Sequence, residues 1–128
     1  WHNQGAGDLL GVHRYILRLR PPRRKAGDRR VFCVTEYGGY SHVAPGHVWS
    51  ERGSFGYKMY KDRTVLTKAY RALHERQIFP LLAAGLAAVV YTQLTDVEGE
   101  VNGLYTYDRA LCKMDEATVK EINLRLHF

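Results

Sequence analysis

Apolar and polar residues fall in blocks along this chain, and each block predicts an element. Residues 8–13 hold Leu9, Leu10 and Val12 in a short apolar run, the pattern of a buried strand. Residues 16–30 are basic and polar around Pro21 and Pro22, a pair that opposes helix, and read as a connector. Residues 31–35 are β-branched and aromatic without alternation, as in a strand covered on both faces. That run ends at Glu36, and Gly38 and Gly39 follow, where paired glycines allow a sharp turn. Residues 40–56 read as a long loop bearing aromatics.

Over residues 62–84 the apolar positions Val65, Leu66, Ala69, Tyr70 and Leu73 recur at helical spacing. Asp62 suits the N-cap, and Pro80 ends or kinks the helix. Gly85 introduces a second continuous apolar run, residues 86–91, read as another buried strand. Residues 92–110 form a second long loop or hairpin. Asp115 then caps a last helix in which Val119, Ile122 and Leu126 recur at spacings of three and four. Strand, connector, strand, helix, strand, helix is the order of a parallel α/β sheet. In such sheets ligands and chemistry sit at the C-terminal ends of the strands, where both long loops lie.

Length and composition narrow the classes. With 128 residues, 45% hydrophobic and 25% charged, the chain is one ordinary soluble globular domain. No stretch reaches the roughly 20 apolar residues of a membrane span, because Gly85 interrupts the longest run, residues 81–91. Cys33 and Cys112 are too few for a disulfide scaffold or a zinc site, and Cys33 reads as a small core residue. Trp1 to Gln4 lack the features of a signal peptide, and the missing initiator Met points to a fragment; the compartment stays open. His2, His42, His74 and His127 are scattered and form no metal-ligand pattern, and Asp96, Glu98 and Glu100 lack the spacing of a calcium loop. The expectation is no metal and no cofactor. Charge is uneven: between Arg14 and Arg30 eight basic residues meet one acid, giving +7 against +6 for the whole chain. No recognisable nucleic-acid-binding motif accompanies them, so the segment reads as a solvated connection and not a nucleic-acid surface.

The run Val34-Thr35-Glu36-Tyr37-Gly38-Gly39-Tyr40 resembles the strand-seven nucleophile motif of glycoside hydrolase family 2, the β-galactosidase and β-glucuronidase group. Tyr91-Thr92-Gln93-Leu94-Thr95-Asp96-Val97-Glu98-Gly99-Glu100-Val101-Asn102-Gly103-Leu104 resembles the strand-eight signature of one bacterial branch, continuing into Tyr105-Thr106-Tyr107-Asp108-Arg109. Pro45-Gly46-His47-Val48-Trp49, Gly56-Tyr57-Lys58 and Lys61-Asp62 lie between them in the same order. The resemblance extends over about residues 8–128 and is strongest over 31–114. It implies a (β/α)₈ TIM barrel, which needs roughly 250 residues, so residues 1–128 would be the C-terminal portion of one, about its last three strand-helix units.

What the resemblance implies chemically is retaining hydrolysis of O-glycosyl bonds of β-linked sugars. That reaction uses two carboxyl groups about 5–5.5 Å apart, one a nucleophile and the other an acid, then base. Glu36 takes the nucleophile's position. His13 and Tyr15 resemble the family's His-x-Tyr, whose hydroxyl hydrogen-bonds the nucleophile and holds it ionised; Ile16 stands where the family usually has Pro. His47 and Trp49 fall on the loop after the nucleophile, where an indole can stack on a sugar. Tyr91 stands where much of the family has a Trp flooring the sugar site. Gln93, Asp96 and Glu98 follow as hydroxyl ligands, although Asp96 and Glu98 could instead fix the loop through backbone hydrogen bonds.

The family's acid follows an Asn as an Asn-Glu pair, and here Asn3, Asn102 and Asn123 precede Gln4, Gly103 and Leu124. The expectation is therefore a fragment carrying the nucleophile without the acid/base, inactive alone. Its partners would be a carbohydrate substrate and either the rest of the barrel or a second copy. The alternative is a non-catalytic carbohydrate-binding or interaction module derived from the same fold.

Overall fold

The computed structural model describes residues 3–128, with Trp1 and His2 outside them. Strand β1, Leu9–Arg14, is followed by an irregular connector and then by β2, Val31–Gly38. Pro21 and Pro22 lack amide donors, which is reason enough for no helix here. Leu19 anchors the connector: its side chain is buried in the core and its N–H donates to Gln77 Oε1 at 2.9 Å. Two short strands, β3 at Tyr40–Ser41 and β4 at Lys58–Met59, pair in parallel across the loop after β2.

Helix α1, Arg63–Leu73, starts as its sequence predicts, with the Asp62 carboxylate accepting from Val65 N–H at 2.8 Å. Its buried face is Leu66, Tyr70 and Leu73, at spacings of four and three. The helix does not stop at Pro80. A π-helical turn, His74–Ile78, leads into a last α-turn, α2 at Phe79–Leu82, so that Pro80 sits in a first turn, where its missing donor costs little. Gly85, at φ +83°, ends this unit and starts β5, Leu86–Thr92. Helix α3, Glu116–Leu124, is capped by Asp115, which accepts from Thr118 N–H at 2.8 Å.

Strands β1, β2 and β5 form a three-stranded sheet in the order β1-β2-β5, parallel throughout. Phe32, Val34, Tyr37 and Leu86 face the helices and pack with Leu66, Tyr70, Ile78, Leu81, Met114 and Ile122 into one core. The central strand carries an extra residue relative to both neighbours: after Val12↔Val34, His13 pairs with Glu36, and Tyr91 pairs with Tyr37. A bulge of this kind puts Thr35 and Glu36 on the same side, away from the helices. Thr35 then lies over Gly11, and Glu36 over His13.

The opposite face of the sheet departs from the sequence reading. Residues 8–13, 31–35 and 86–91 were expected to be buried strands, yet Leu9, Val31 and Val90 are 57%, 44% and 55% exposed. Among the described residues nothing forms a second layer there, so apolar side chains suited to burial face solvent. Among the described residues, no helix is long and apolar enough to cross a membrane.

Candidate active site

Glu36 lies near the C-terminal end of the middle strand, the end at which both long loops emerge. The Tyr15 hydroxyl donates to Glu36 Oε2, and His13 Nδ1 stands 3.5 Å from Oε1. Each carboxylate oxygen thus faces a ring from β1 or the residues just after it. His13 and Tyr15 meet edge to face, with centroids 5.0 Å apart. Burial first, and then the hydrogen bond to a carboxylate, pushes the Tyr15 hydroxyl up to about 12. The phenol therefore stays protonated as a donor at any physiological pH. The Glu36 side chain is 38% exposed, so one side of the carboxylate remains reachable from solvent.

The two glycines after Glu36 have a packing role beyond the turn. Gly38 and Gly39 adopt φ +96° and +61°, the left-handed region. A Cβ on Gly38 would collide with the Tyr91 ring, and one on Gly39 with the rings of Tyr57 and Tyr15. The space above them is filled by the chain's own aromatics and is not an open approach for a ligand. Tyr57 stacks on Tyr15 at a centroid distance of 4.1 Å and an interplanar angle of 18°.

Tyr91 is not grouped with Glu36. Its ring meets Tyr37 at 5.4 Å and Tyr70 of α1 at 5.2 Å, on the helix side of the sheet, and its hydroxyl is buried there without a hydrogen-bond partner among the described residues. The helix side also holds His74, whose Nδ1 meets the Tyr70 carbonyl at 2.9 Å and whose Nε2 meets the Tyr37 hydroxyl at 2.8 Å. A carbonyl can only accept, so Nδ1 carries the proton and Nε2 accepts from Tyr37. That arrangement suits a neutral ring, and burial lowers His74 from 6.5 to about 4.

The loop residues named from the sequence are mostly engaged with one another. Gln93 Nε2 donates to Asn102 Oδ1 at 2.6 Å, and the Asn102 amide to Glu100 Oε1 at 2.9 Å. Asp96 is buried: Oδ1 accepts from Lys113 Nζ at 2.6 Å and from Gly103 N–H at 2.8 Å. Lys113 gives its other two protons to the carbonyls of His42 and Val101, at 3.1 and 3.0 Å. Burial raises the Asp96 carboxyl and lowers the Lys113 ammonium, while the ion pair opposes both shifts. Of the two roles open to Asp96, the geometry matches loop fixing. Glu98 is exposed in a tight turn at φ +49° and borders a shallow cleft with Thr95, Tyr107 and Arg109. None of these carboxylates is joined to Glu36 by a hydrogen bond or ion pair among the described residues.

His47 and Trp49 tie the first loop to the second. His47 Nδ1 meets Asp108 Oδ2 at 2.8 Å, and the Trp49 indole lies 5.0 Å from the Tyr107 ring. The Thr106 hydroxyl, the Ala110 N–H and then His47 hold the Asp108 carboxyl down to about 2. Trp49 stays 57% exposed, leaving an aromatic surface open to a ligand. Three contributors were given no role from the sequence: Lys113 lies outside the matched runs, and Asn102 and Tyr57 lie within them without being singled out. Only the glycines opposite Tyr57 hint at a ring packed close by.

Among the described residues, no group of three or more His, Cys, Asp or Glu side chains could hold a metal ion. No protein-family model and no curated protein matches the chain.

Proposed function

We propose that this chain is the C-terminal part of the (β/α)₈ catalytic domain of a retaining β-glycosidase resembling glycoside hydrolase family 2, with Glu36 as its nucleophile. The observation that carries the reading is the bulged strand end. Glu36 and His13 come level across two parallel strands, and Tyr15 donates to the carboxylate from above. The uncovered apolar face and the two free sheet edges support the barrel: three parallel strands with helices on one side are what an arc of such a barrel would look like.

In the reaction, a Glu36 oxygen attacks the anomeric carbon of the sugar, forming an ester as the bond to the leaving oxygen breaks. Tyr15 holds the other oxygen and orients the attack. The proton for the leaving group comes from a carboxylic acid on another part of the barrel, which then deprotonates the water that releases the sugar. The remaining strands would pair with the edges of β1 and β5 and cover Leu9, Val31 and Val90.

The test is turnover of an aryl β-glycoside by the longest product of the gene encoding this chain, beside the chain alone. The chain alone gives none, and Glu36→Gln lowers the longer protein's rate by about a thousandfold or more. Turnover by the chain alone that Glu36→Gln abolishes would place the acid within these residues and overturn the fragment reading. A second reading, a sugar-binding module without chemistry, is favoured by one feature, the exposed Trp49 beside Tyr107. It predicts binding that survives Glu36→Gln and is lost in Trp49→Ala.

A further inference from the structure

Tyr57 is an aromatic beside the Glu36 site that takes no part in the proposed reaction. Its position is fixed from two directions. On one side, β4 pairs with β3, and Tyr60 N–H donates to the Ser41 carbonyl at 2.8 Å. Gly56 lies against Ser41 so closely that a Cβ would collide with the serine side chain. On the other side, Phe55 is stitched to the second loop: its N–H donates to the Gly99 carbonyl at 2.8 Å, and its carbonyl accepts from Val101 N–H at 2.9 Å. Tyr57 therefore belongs to a short segment held by both long loops, and the Lys113 ammonium joins those loops again through His42 and Val101.

From that position the ring lies face to face on Tyr15, 4.1 Å away, while Gly39 leaves room for both. Tyr15 itself follows β1 and opens a connector that has no helix or strand; its hydroxyl meets Glu36 and Thr92, and its ring face meets Tyr57. His13 touches only its edge. Within the glycosidase reading, on which this inference rests, we infer that Tyr57 is a positioning residue: its ring clamps the Tyr15 ring so that the phenol stays on Glu36, and it couples that hydrogen bond to the closure of the two loops. The clamp uses the ring face and not the Tyr57 hydroxyl, so Phe should serve and an aliphatic residue should not.

The experiment uses the full chain with tyrosines labelled at the ring carbon bearing oxygen, followed by NMR through an alkaline titration, with Tyr15→Phe assigning the resonance. In the unaltered chain Tyr15 titrates near 12, and ring protons of Tyr15 and Tyr57 show cross-relaxation. Tyr57→Leu opens the phenol to water and moves its titration down by at least one pH unit, and Tyr57→Phe restores the original value. A Tyr15 titration unmoved by Tyr57→Leu would overturn the inference, and so would a Tyr57→Phe protein that behaves like Tyr57→Leu. Absence of Tyr15–Tyr57 cross-relaxation in the unaltered chain would overturn it without any variant having to fold. No sugar or turnover enters these readouts. A failed clamp therefore leaves the glycosidase reading standing, and a failed glycosidase assay leaves the clamp standing.

Discussion

Acidification should weaken this fold through His74. The ring is fully buried and makes two hydrogen bonds that require the neutral form, donating to the Tyr70 carbonyl and accepting from the Tyr37 hydroxyl. Its folded value lies near 4, against 6.5 for an ordinary histidine. Above pH 6.5 both folded and unfolded states are neutral at this site, and stability does not depend on its titration. As pH falls from 6.5 towards 4 the unfolded state takes up a proton that the folded state refuses, and stability drops by up to about 1.4 kcal/mol per pH unit. The loss is about 2 kcal/mol at pH 5 and levels off at about 3 kcal/mol below pH 4. Carboxylates titrate in the same window, so the assay is a comparison. Urea unfolding at pH 7.5 and pH 5 is measured for the chain and for His74→Gln, which cannot ionise. The unaltered chain should lose about 2 kcal/mol more than the variant between the two conditions. Equal losses would show that His74 is not held neutral by the fold, as would an imidazole resonance of His74 titrating near its ordinary value.

Other expectations concern the elements that hold the site. Lys113→Met leaves the buried Asp96 carboxylate without its ion-pair partner and should cost about 3–5 kcal/mol by thermal or urea unfolding, with much of the loss recovered in Lys113→Met combined with Asp96→Asn. Tyr91→Phe removes a buried hydroxyl that has no hydrogen-bond partner among the described residues, so stability should change by no more than about 1 kcal/mol. Asp62→Ala removes the cap of α1 and should cost about 1 kcal/mol, read by the same unfolding curves. The chain alone, with Leu9, Val31 and Val90 exposed beside two free edges, should self-associate; a concentration-independent monomer by light scattering would count against the open sheet face.

Much of the architecture was legible because local signals and tertiary packing agree. Asp62 and Asp115 cap the helices they were expected to cap, and the spacing of Leu66, Tyr70 and Leu73 identifies the buried face. Three parallel strands and the helix-free connector also follow from the pattern of apolar runs. What the pattern could not carry is the extra residue in β2. A bulge has no signature in Val34-Thr35-Glu36-Tyr37, yet it decides that Glu36 and not Thr35 comes level with His13. The helix through Pro80 was hidden for a similar reason, since a π-helical turn relocates the proline to a first turn without altering the apolar spacing. Continuous apolar strands pointed to burial on both faces, but among the described residues no second layer covers Leu9, Val31 and Val90.

The site was readable in part. Tyr15 and Glu36 were named together from their motifs, and they meet. Tyr91 was placed at a sugar site by position in a motif alone, and its ring turns instead towards α1, where Tyr37 and Tyr70 receive it. Lys113 is invisible from the sequence because a lone lysine reads as surface, and only the folded loops supply the carboxylate and two carbonyls that hold it buried.

In the proposed reaction Glu36 forms a covalent bond to a sugar. The most direct test of that bond is to treat the longest gene product carrying this chain with an activated 2-deoxy-2-fluoro β-glycoside, which traps the glycosyl ester, and to locate the label by peptide mass spectrometry. The expected result is one added fluorosugar on the peptide containing Glu36, and none in Glu36→Gln. A label on any other carboxylate, or no label in a protein that turns over the parent aryl glycoside, would contradict it.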